Sequence, residues 1–412
     1  MSRTARFRFM GYISLFTFAM LMLATSDNLL QLFFGWEGVG VCSYLLIGYW
    51  FDRDYANEAA MKAFIVNRVG DLAFAVGLAL LLFDFGSLRF ETIFAALSQH
   101  AGNTYSLLGV PVPVYEVIAT LPFIGAMGKS AQIFLHTWLP DAMAGPTPIS
   151  ALIHAATMVT AGVFLMARMS PLLNLTPGTL GFITIIGSAT AVFSATIALV
   201  QTDIKKIIAY SICSEVGFMM IGVGIGVYQT AIFLLICHAF FKSLLFLCAG
   251  AVITQCEEEQ DVRKMGGLWR RMPLTCLAFW CGSLSLGGLP PFAGSQSHDA
   301  IMLSAFGTGS RLGMVGFIAR LLATYLTCVY IFRELYLVFY GETRMEPMEY
   351  RKVWEAPVVM TGPLVILSIG ATIAGFVLLP WFVGARSEAF WDGSIMAAGW
   401  NHALEAGEQA PP

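Results

Sequence analysis

The stretch Leu29-Leu30-Gln31-Leu32-Phe33-Phe34-Gly35-Trp36-Glu37-Gly38-Val39-Gly40-Val41-Cys42-Ser43-Tyr44-Leu45-Leu46-Ile47 is an apolar run with one charged residue, Glu37, near its centre. As a helix rising about 1.5 Å per residue it is long enough to cross a hydrocarbon core of about 30 Å, which puts Glu37 at membrane depth. Comparable runs recur along almost the whole chain of 412 residues, of which 57% are hydrophobic and 12% charged. An ordinary soluble domain is roughly 45–50% apolar and about 25% charged, so a water-soluble enzyme is excluded. The fold class is an all-α polytopic membrane protein.

Polar and Gly/Pro breaks divide the chain into about eleven spans, roughly residues 9–26, 28–50, 62–84, 115–135, 147–168, 179–200, 206–226, 229–253, 273–293, 311–339 and 357–384. The segment from Arg386 to Pro412 reads as a polar, flexible tail. The basic start carries no small-residue cleavage site, so the first span is expected to remain in the protein. A net charge of −3 gives no basic patch for nucleic acid. The eight cysteines form no Cys-x-x-Cys pair and sit mostly in apolar runs, so they read as small core residues, with no haem, iron–sulfur or zinc site signalled.

Lysine and arginine orient the spans. Arg3, Arg6, Arg8, Arg53, Lys62, Lys205, Lys206, Arg263, Lys264, Arg270, Arg271, Arg344, Arg351 and Lys352 fall on the side of the N-terminus, against Arg89, Arg168, Arg311 and Arg386 on the other. This imbalance places the N-terminus inside. Arg68, Lys129, Lys242, Arg320 and Arg333 remain within spans. A cation at a helix centre costs roughly 2.5–3.5 kcal/mol on insertion scales, so each needs a partner or a task.

Lys129 is a plausible partner for Glu37, either as a structural ion pair or as a proton-exchanging one. His238 and Lys242, four residues apart, share one helix face, where two cations repel; that suits a relay better than a clamp. His154, among alanines, is a packing residue when taken alone and a further station when taken with the others. Two regions are also broken, Lys129 to Ile149 and Gly287 to Asp299, both rich in Gly and Pro. Irregular backbone at membrane depth is tolerated only where protein or a water-filled cavity satisfies it. The breaks fall in the fourth and ninth spans, which predicts two inverted five-helix repeats, residues 1–172 and 173–343, followed by one more span and the tail over 344–412. These features fit proton or ion translocation, a substrate transporter or a membrane scaffold, with proton transfer favoured.

The wording of several stretches is specific. Trp36 to Gly48, Arg68-Val69-Gly70-Asp71, Gly128-Lys129-Ser130-Ala131-Gln132, Asp141 to Pro148, Ala151 to Val159, Gln201 to Lys206 and His238-Ala239-Phe240-Phe241-Lys242 resemble the subunit 5 family of NADH:ubiquinone oxidoreductase, respiratory complex I. These are the distal antiporter-like subunits of the membrane arm, and the resemblance covers nearly the whole chain. It implies proton pumping driven by quinone reduction elsewhere, with no cofactor in this chain and with NADH, FMN, iron–sulfur clusters and ubiquinone in other subunits. It implies further that Glu37 and Lys129 form a switching pair adjusted by Arg68 and Asp71. His154, Lys205, His238 and Lys242 would then carry protons along a hydrated axis, Asp203 would tune Lys205, and His298 beside Asp299 would be the exit-side group.

Three departures stand out. The family's broken-helix motif reads Gly-Phe-Phe-Ser-Lys-Asp, whereas Gly294-Ser295-Gln296-Ser297-His298-Asp299 stands here; histidine replaces lysine, and the ordinary pKa changes from about 10.4 to about 6.5. Leu234 occupies a position where many relatives carry another histidine. The resemblance also begins at the family's fourth span and ends near its fourteenth, which leads to the expectation that separate polypeptides supply further helices. Expected partners are the other membrane-arm subunits, above all the neighbouring antiporter-like one, and lipids such as cardiolipin. The expected location is an energy-transducing inner membrane, mitochondrial more than bacterial, with the N-terminus on the matrix or cytoplasmic side. The alternatives are the large subunit of a multi-subunit sodium/proton antiporter and a non-pumping structural remnant.

Overall fold

A computed structural model describes residues 3–100, 102–107 and 109–396. The chain is a bundle of helices: α1 (Arg3–Ala24), α2 (Leu29–Ile47), α3 (Asp54–Phe85), α4 (Val114–Lys129), α5 (Thr147–Arg168), α6 (Pro177–Val200), α7 (Ile204–Gly224), α8 (Tyr228–Gln255), α9 (Pro273–Leu286), α10 (Ala293–Gly307), α11 (Arg311–Tyr340) and α12 (Val358–Phe382). Among the described residues nine helices are long and apolar enough to cross a membrane. The other two expected spans are the broken ones. The fourth consists of α4, an irregular stretch, and a short turn at Trp138–Asp141; the ninth consists of α9 and α10.

Boundaries differ from the sequence reading where polar residues sit inside helices. The third helix starts at Asp54 rather than near residue 62, because Asp54-Tyr55-Ala56-Asn57-Glu58 forms its first turns, with Asp54 suited to the positive helix end. Lys205 and Lys206, taken as loop residues for orientation, lie in the first turn of α7. The expected flexible tail contains a short helix, Ser387–Trp391, whose Trp391 indole donates to the Phe382 carbonyl at 2.9 Å; the part of that tail from 397 to 412 lies outside the described residues. A hairpin absent from the sequence reading pairs Thr104–Leu107 with Val110–Pro113 between α3 and α4.

Burial grades across the bundle. α7 and α8 are almost wholly enclosed, whereas α1, α3 and α12 turn rows of exposed apolar side chains outward, such as Val358, Val359, Ile366 and Ile369. That is the pattern of outer helices facing lipid around inner helices facing protein. α6 and α7 approach backbone to backbone: a Cβ at Gly217 would lie 2.8 Å from the Gly187 carbonyl oxygen. Small residues at such crossings permit the close packing that holds membrane helices together.

At both breaks the backbone is satisfied from neighbouring elements, as membrane depth requires. After α4, Ala131 and Phe134 take positive φ; the Ser130 hydroxyl donates to the Val159 carbonyl at 2.7 Å, and the Ile133 amide donates to Thr190 Oγ1 at 3.0 Å. Between α9 and α10, Gly288 takes φ +71° and the Gly294 amide donates to Ser285 Oγ at 3.1 Å. α5 carries a wide turn over Ser150–Thr157, which presents His154 to the interior.

Two carboxylates tie the bundle together by capping helices other than their own. Glu116 of α4 accepts from the Gly178 and Thr179 amides at 2.9 and 2.7 Å at the start of α6. Glu355 accepts from the Leu274 amide at 2.7 Å at the start of α9. Glu116→Ala is expected to lose a cap worth about 1–2 kcal/mol and to lower the thermal midpoint in detergent, with Glu116→Gln intermediate.

Candidate functional site

The bundle interior holds two clusters of charge linked by buried histidines and lysines. In the first, Arg68 of α3 forms an ion pair with Glu37 of α2. Asp71, one turn further along α3, accepts from the Trp36 indole at 2.7 Å; its other oxygen lies 3.7 Å from Arg68 Nη1 and 3.6 Å from Lys129 Nζ. Lys129 ends α4 at the break and is buried, 1% exposed. It reaches into the space left by Gly40, where a Cβ would meet Nζ at 2.7 Å. The expected Glu37–Lys129 pair is therefore corrected: Asp71 is the carboxylate that Lys129 meets, and Glu37 is held by Arg68. The Arg-x-x-Asp spacing puts both charges of α3 on one face, so Arg68 takes Glu37 and Asp71 takes Lys129, even though Lys129 touches α2 at Gly40.

On the side of the bundle where α3 and α7 begin, a polar cleft of about 580 Å³ is lined by Glu58, Lys62, Asp141, Asp203, Lys206 and the main chain around Met143. The Lys62–Asp141 ion pair, 2.5 Å, spans it. Behind its wall Lys205 Nζ donates to the Met143 carbonyl at 2.6 Å and approaches that of Gly145 at 3.4 Å. Asp203 makes no hydrogen bond to this amine; its carboxylate caps α7 by accepting from the Lys205 and Lys206 amides, close enough for its charge to act on Lys205.

Further in, His154 and His238 are fully buried, and neither ring has a protein hydrogen-bond partner at either nitrogen. Lys242, one turn after His238 on α8, donates to Ser211 Oγ of α7 at 2.5 Å. The sequence reading placed these residues inside, and they are inside. Leu234 is buried in the same helix.

The second cluster lies beside α10. His298 Nε2 and Glu215 Oε2 of α7 are 2.9 Å apart, and Arg320 Nη1 of α11 donates to Glu215 Oε1 at 3.1 Å. All three side chains are buried. Asp299, expected to support His298, is exposed, and the charge of this cluster that it interacts with is Arg320. Glu334 of α11 is fully buried, and neither of its carboxyl oxygens has a hydrogen-bond partner. Sequence reasoning passed over Glu215 and Glu334, although both lie inside expected spans and the rule that picked out Glu37 applies equally to them.

Such a set of buried, partly unpartnered ionisable groups lets protons bind and leave inside the bundle, and orphaned polar groups of this kind are ordinarily served by internal water. Among the described residues no group of three or more His, Cys, Asp or Glu could hold a metal ion, and the cysteines are free thiols, six of them buried.

Comparison with known proteins gives the chain's relations. Residues 26–327 match the family described as NADH:quinone oxidoreductase/Mrp antiporter, transmembrane. NADH-quinone oxidoreductase subunit L of Rhodobacter capsulatus is 49% identical over 396 residues, 93% of this chain and 55% of that protein. NADH-ubiquinone oxidoreductase chain 5 of Phytophthora infestans is 46% identical over 404 residues, 98% of this chain and 61% of its own length. The chain thus spans a little over half the length of these relatives. Among solved structures, the Mrp complex of a Dietzia species superposes with a TM-score of 0.79 at 27% identity, covering 98% of this chain and 44% of that one. An archaeal membrane-bound sulfane sulfur reductase reaches the same TM-score of 0.79 at 23% identity, which speaks for the fold alone.

The two kinds of ion pair should differ sharply in worth. Asp71→Asn leaves the buried Lys129 without its carboxylate and is expected to destabilise the protein in detergent by about 3–5 kcal/mol. Lys62→Ala breaks an exposed pair and is expected to change stability by less than about 1 kcal/mol. Denaturant titration of both variants checks the contrast.

Proposed function

Because the chain belongs to the NADH:quinone oxidoreductase/Mrp antiporter transmembrane family, we propose that it is a proton-translocating subunit of the membrane arm of an NADH:quinone oxidoreductase. The carrying observation is the set of ionisable side chains that runs from the half-buried Glu37–Arg68 pair through buried Asp71 and Lys129 to the buried His154, Lys205, His238, Lys242 and His298. The proton source on the N-terminal side is the cleft at Lys62 and Asp141, from which Lys205 is the first buried acceptor. Protons then pass between the amines and the imidazoles, whose unpartnered ring nitrogens exchange them through small rotamer changes and bridging water.

The first cluster supplies the coupling. Asp71 faces both Arg68 and Lys129, and Glu37 competes for the same arginine. A negative charge arriving near Glu37 draws Arg68 away from Asp71, Asp71 then holds Lys129 more tightly, and the proton affinity of Lys129 rises. The chain itself carries out no electron transfer. NADH, FMN, iron–sulfur clusters and ubiquinone belong to other subunits, and the partners are the remaining membrane-arm subunits, first the neighbouring antiporter-like one, with anionic lipid such as cardiolipin around them. The inside-heavy distribution of Lys and Arg sets the N-terminus on the matrix or cytoplasmic face.

A sodium/proton antiporter role is the second reading, favoured by the superposition on the Mrp complex. The identities of 46–51% with the oxidoreductase relatives, against 27% with that structure, weigh for the respiratory one. The test is Lys129→Met in the assembled complex, reconstituted into vesicles and supplied with NADH and quinone. Proton uptake per NADH oxidised is expected to collapse toward that of uncoupled vesicles. Uptake at the native ratio would contradict the reading, and sodium-dependent proton exchange without NADH would replace it with the second.

A further inference from the structure

Each cluster places one buried carboxylate between an arginine and a proton-exchanging base: Asp71 between Arg68 and Lys129, and Glu215 between Arg320 and His298. In the second cluster the geometry is tighter, 2.9 Å to the imidazole and 3.1 Å to the guanidinium, and the three residues come from three different helices, α7, α10 and α11. Arg320 also lies over the Phe218 ring at 3.8 Å, and His298 meets Phe218 and Phe241 edge-on. The imidazole is thus fixed in orientation by its surroundings.

That orientation makes the two ring nitrogens unequal. Arg320 is a permanent cation, and its bond to Oε1 keeps the Glu215 carboxylate ionised. An ionised carboxylate only accepts hydrogen bonds, so the nitrogen facing it, Nε2, carries a hydrogen whether or not the ring is charged. Nδ1 is buried, has no hydrogen-bond partner, and points to Gly288 in the irregular stretch between α9 and α10, where a Cβ would come within 2.9 Å of it. The other ionisable groups that interact with this cluster are Lys242 and His238 of α8, Asp299 of α10, and Cys328 and Tyr330 of α11.

We propose that Glu215 and Arg320 are positioning residues that hold His298 as the Nε2–H tautomer and present Nδ1, at the break of the ninth span, as the atom that takes up and releases the translocated proton. Resting on the proton-translocation reading, this assigns a second-half counterpart to the Asp71–Lys129 arrangement. The step is a plain proton transfer. A donor N–H or O–H on the Lys242 side breaks, an N–H forms at Nδ1 using its lone pair, and the imidazolium charge is met by Glu215 through Nε2. Release breaks the same Nδ1–H bond toward the break and restores the neutral ring. Gly288 keeps the approach to Nδ1 open. Histidine in place of the family's lysine is then no loss of function, because the carboxylate and guanidinium beside it supply the fixed charges that a bare imidazole lacks.

The experiment uses the assembled complex in vesicles with three variants. His298→Gln keeps an amide donor for Glu215 but has no exchangeable lone pair; the double variant Glu215→Gln/Arg320→Gln removes both charges and leaves the cluster neutral; Lys129→Met is the control for the reading itself. His298→Gln is expected to assemble and to pump about a hundredfold more slowly, as removal of a proton-transferring group predicts. The double variant is expected to pump slowly with its pH profile displaced, and restoring Glu215 and Arg320 together is expected to recover both. Native pumping by His298→Gln, or a double variant with native rate and native pH profile, would overturn the proposal and leave a structural ion pair. If the double variant fails to assemble, His298→Gln decides alone. Should Lys129→Met stop pumping while the His298 and Glu215/Arg320 variants do not, only the tautomer assignment falls; should all three pump normally, the translocation reading falls as well.

Discussion

Burying charge away from water is the constraint on which the rest of this structure depends. An isolated ion in a low-dielectric interior is penalised by several kcal/mol even after relaxation, and the penalty is offset only by a close counter-charge with its remaining hydrogen bonds made. Lys129 meets it with Asp71, itself anchored by the Trp36 indole, and Arg320 meets it with Glu215; Lys242 has no paired carboxylate and donates to the neutral Ser211 hydroxyl. Each solution draws its members from different helices, so electrostatics fix how the helices sit against one another. The same pairs are poised for exchange, because a carboxylate shared by two cations holds neither with its full strength. On the proposed reading, stability and proton movement therefore rest on the same few side chains.

The broken spans follow from this constraint rather than standing apart from it. Lys129 ends α4 where the helix stops, and Gly288 in the second break faces His298 Nδ1. A continuous helix would close its own carbonyls and amides and leave nothing for an exchanging group to meet. Interrupting it exposes main-chain polar atoms, of which the Ile133 and Gly294 amides are satisfied by the Thr190 and Ser285 hydroxyls. The apolar exterior of α1, α3 and α12 and the enclosed α7 and α8 complete a section through the bundle in which polarity is confined to the middle.

Much of this is written plainly in the sequence. Apolar runs gave the helices, and Glu37, Lys129, His154, His238 and Lys242 could be singled out because an ionisable residue in such a run needs a reason; His298 stands in a Gly/Pro-rich break and was marked by the resemblance alone. Partnership was harder to read. Glu37 and Lys129 are the obvious opposite charges, but pairing depends on which faces of α2, α3 and α4 meet, and the intervening Arg68 and Asp71 redirect both. Asp203 looked like a companion to Lys205 through proximity in sequence, whereas its carboxylate is used on the backbone at a helix start, a role that Asp favours at that position. Glu215 and Glu334 also lie inside apolar runs, but their stretches, Ser214-Glu215-Val216 and Arg333-Glu334-Leu335, belong to none of the motifs that carry the resemblance, and neither has an opposite charge marked out for it in the sequence. The extension of α3 back to Asp54 was hidden because its first turns are polar and the hydropathy signal starts later.

The central claim is that the buried ionisable groups are joined by water into one proton path across the interior. Electron cryo-microscopy of the native complex, at a resolution that shows ordered water, tests it most directly. The account predicts water density linking the cleft at Lys62 and Asp141 to Lys205, and running on past His154 and Lys242 to Nδ1 of His298. A dry interior, with apolar side chains closed between these groups and no solvent beside His154 or His238, would contradict it.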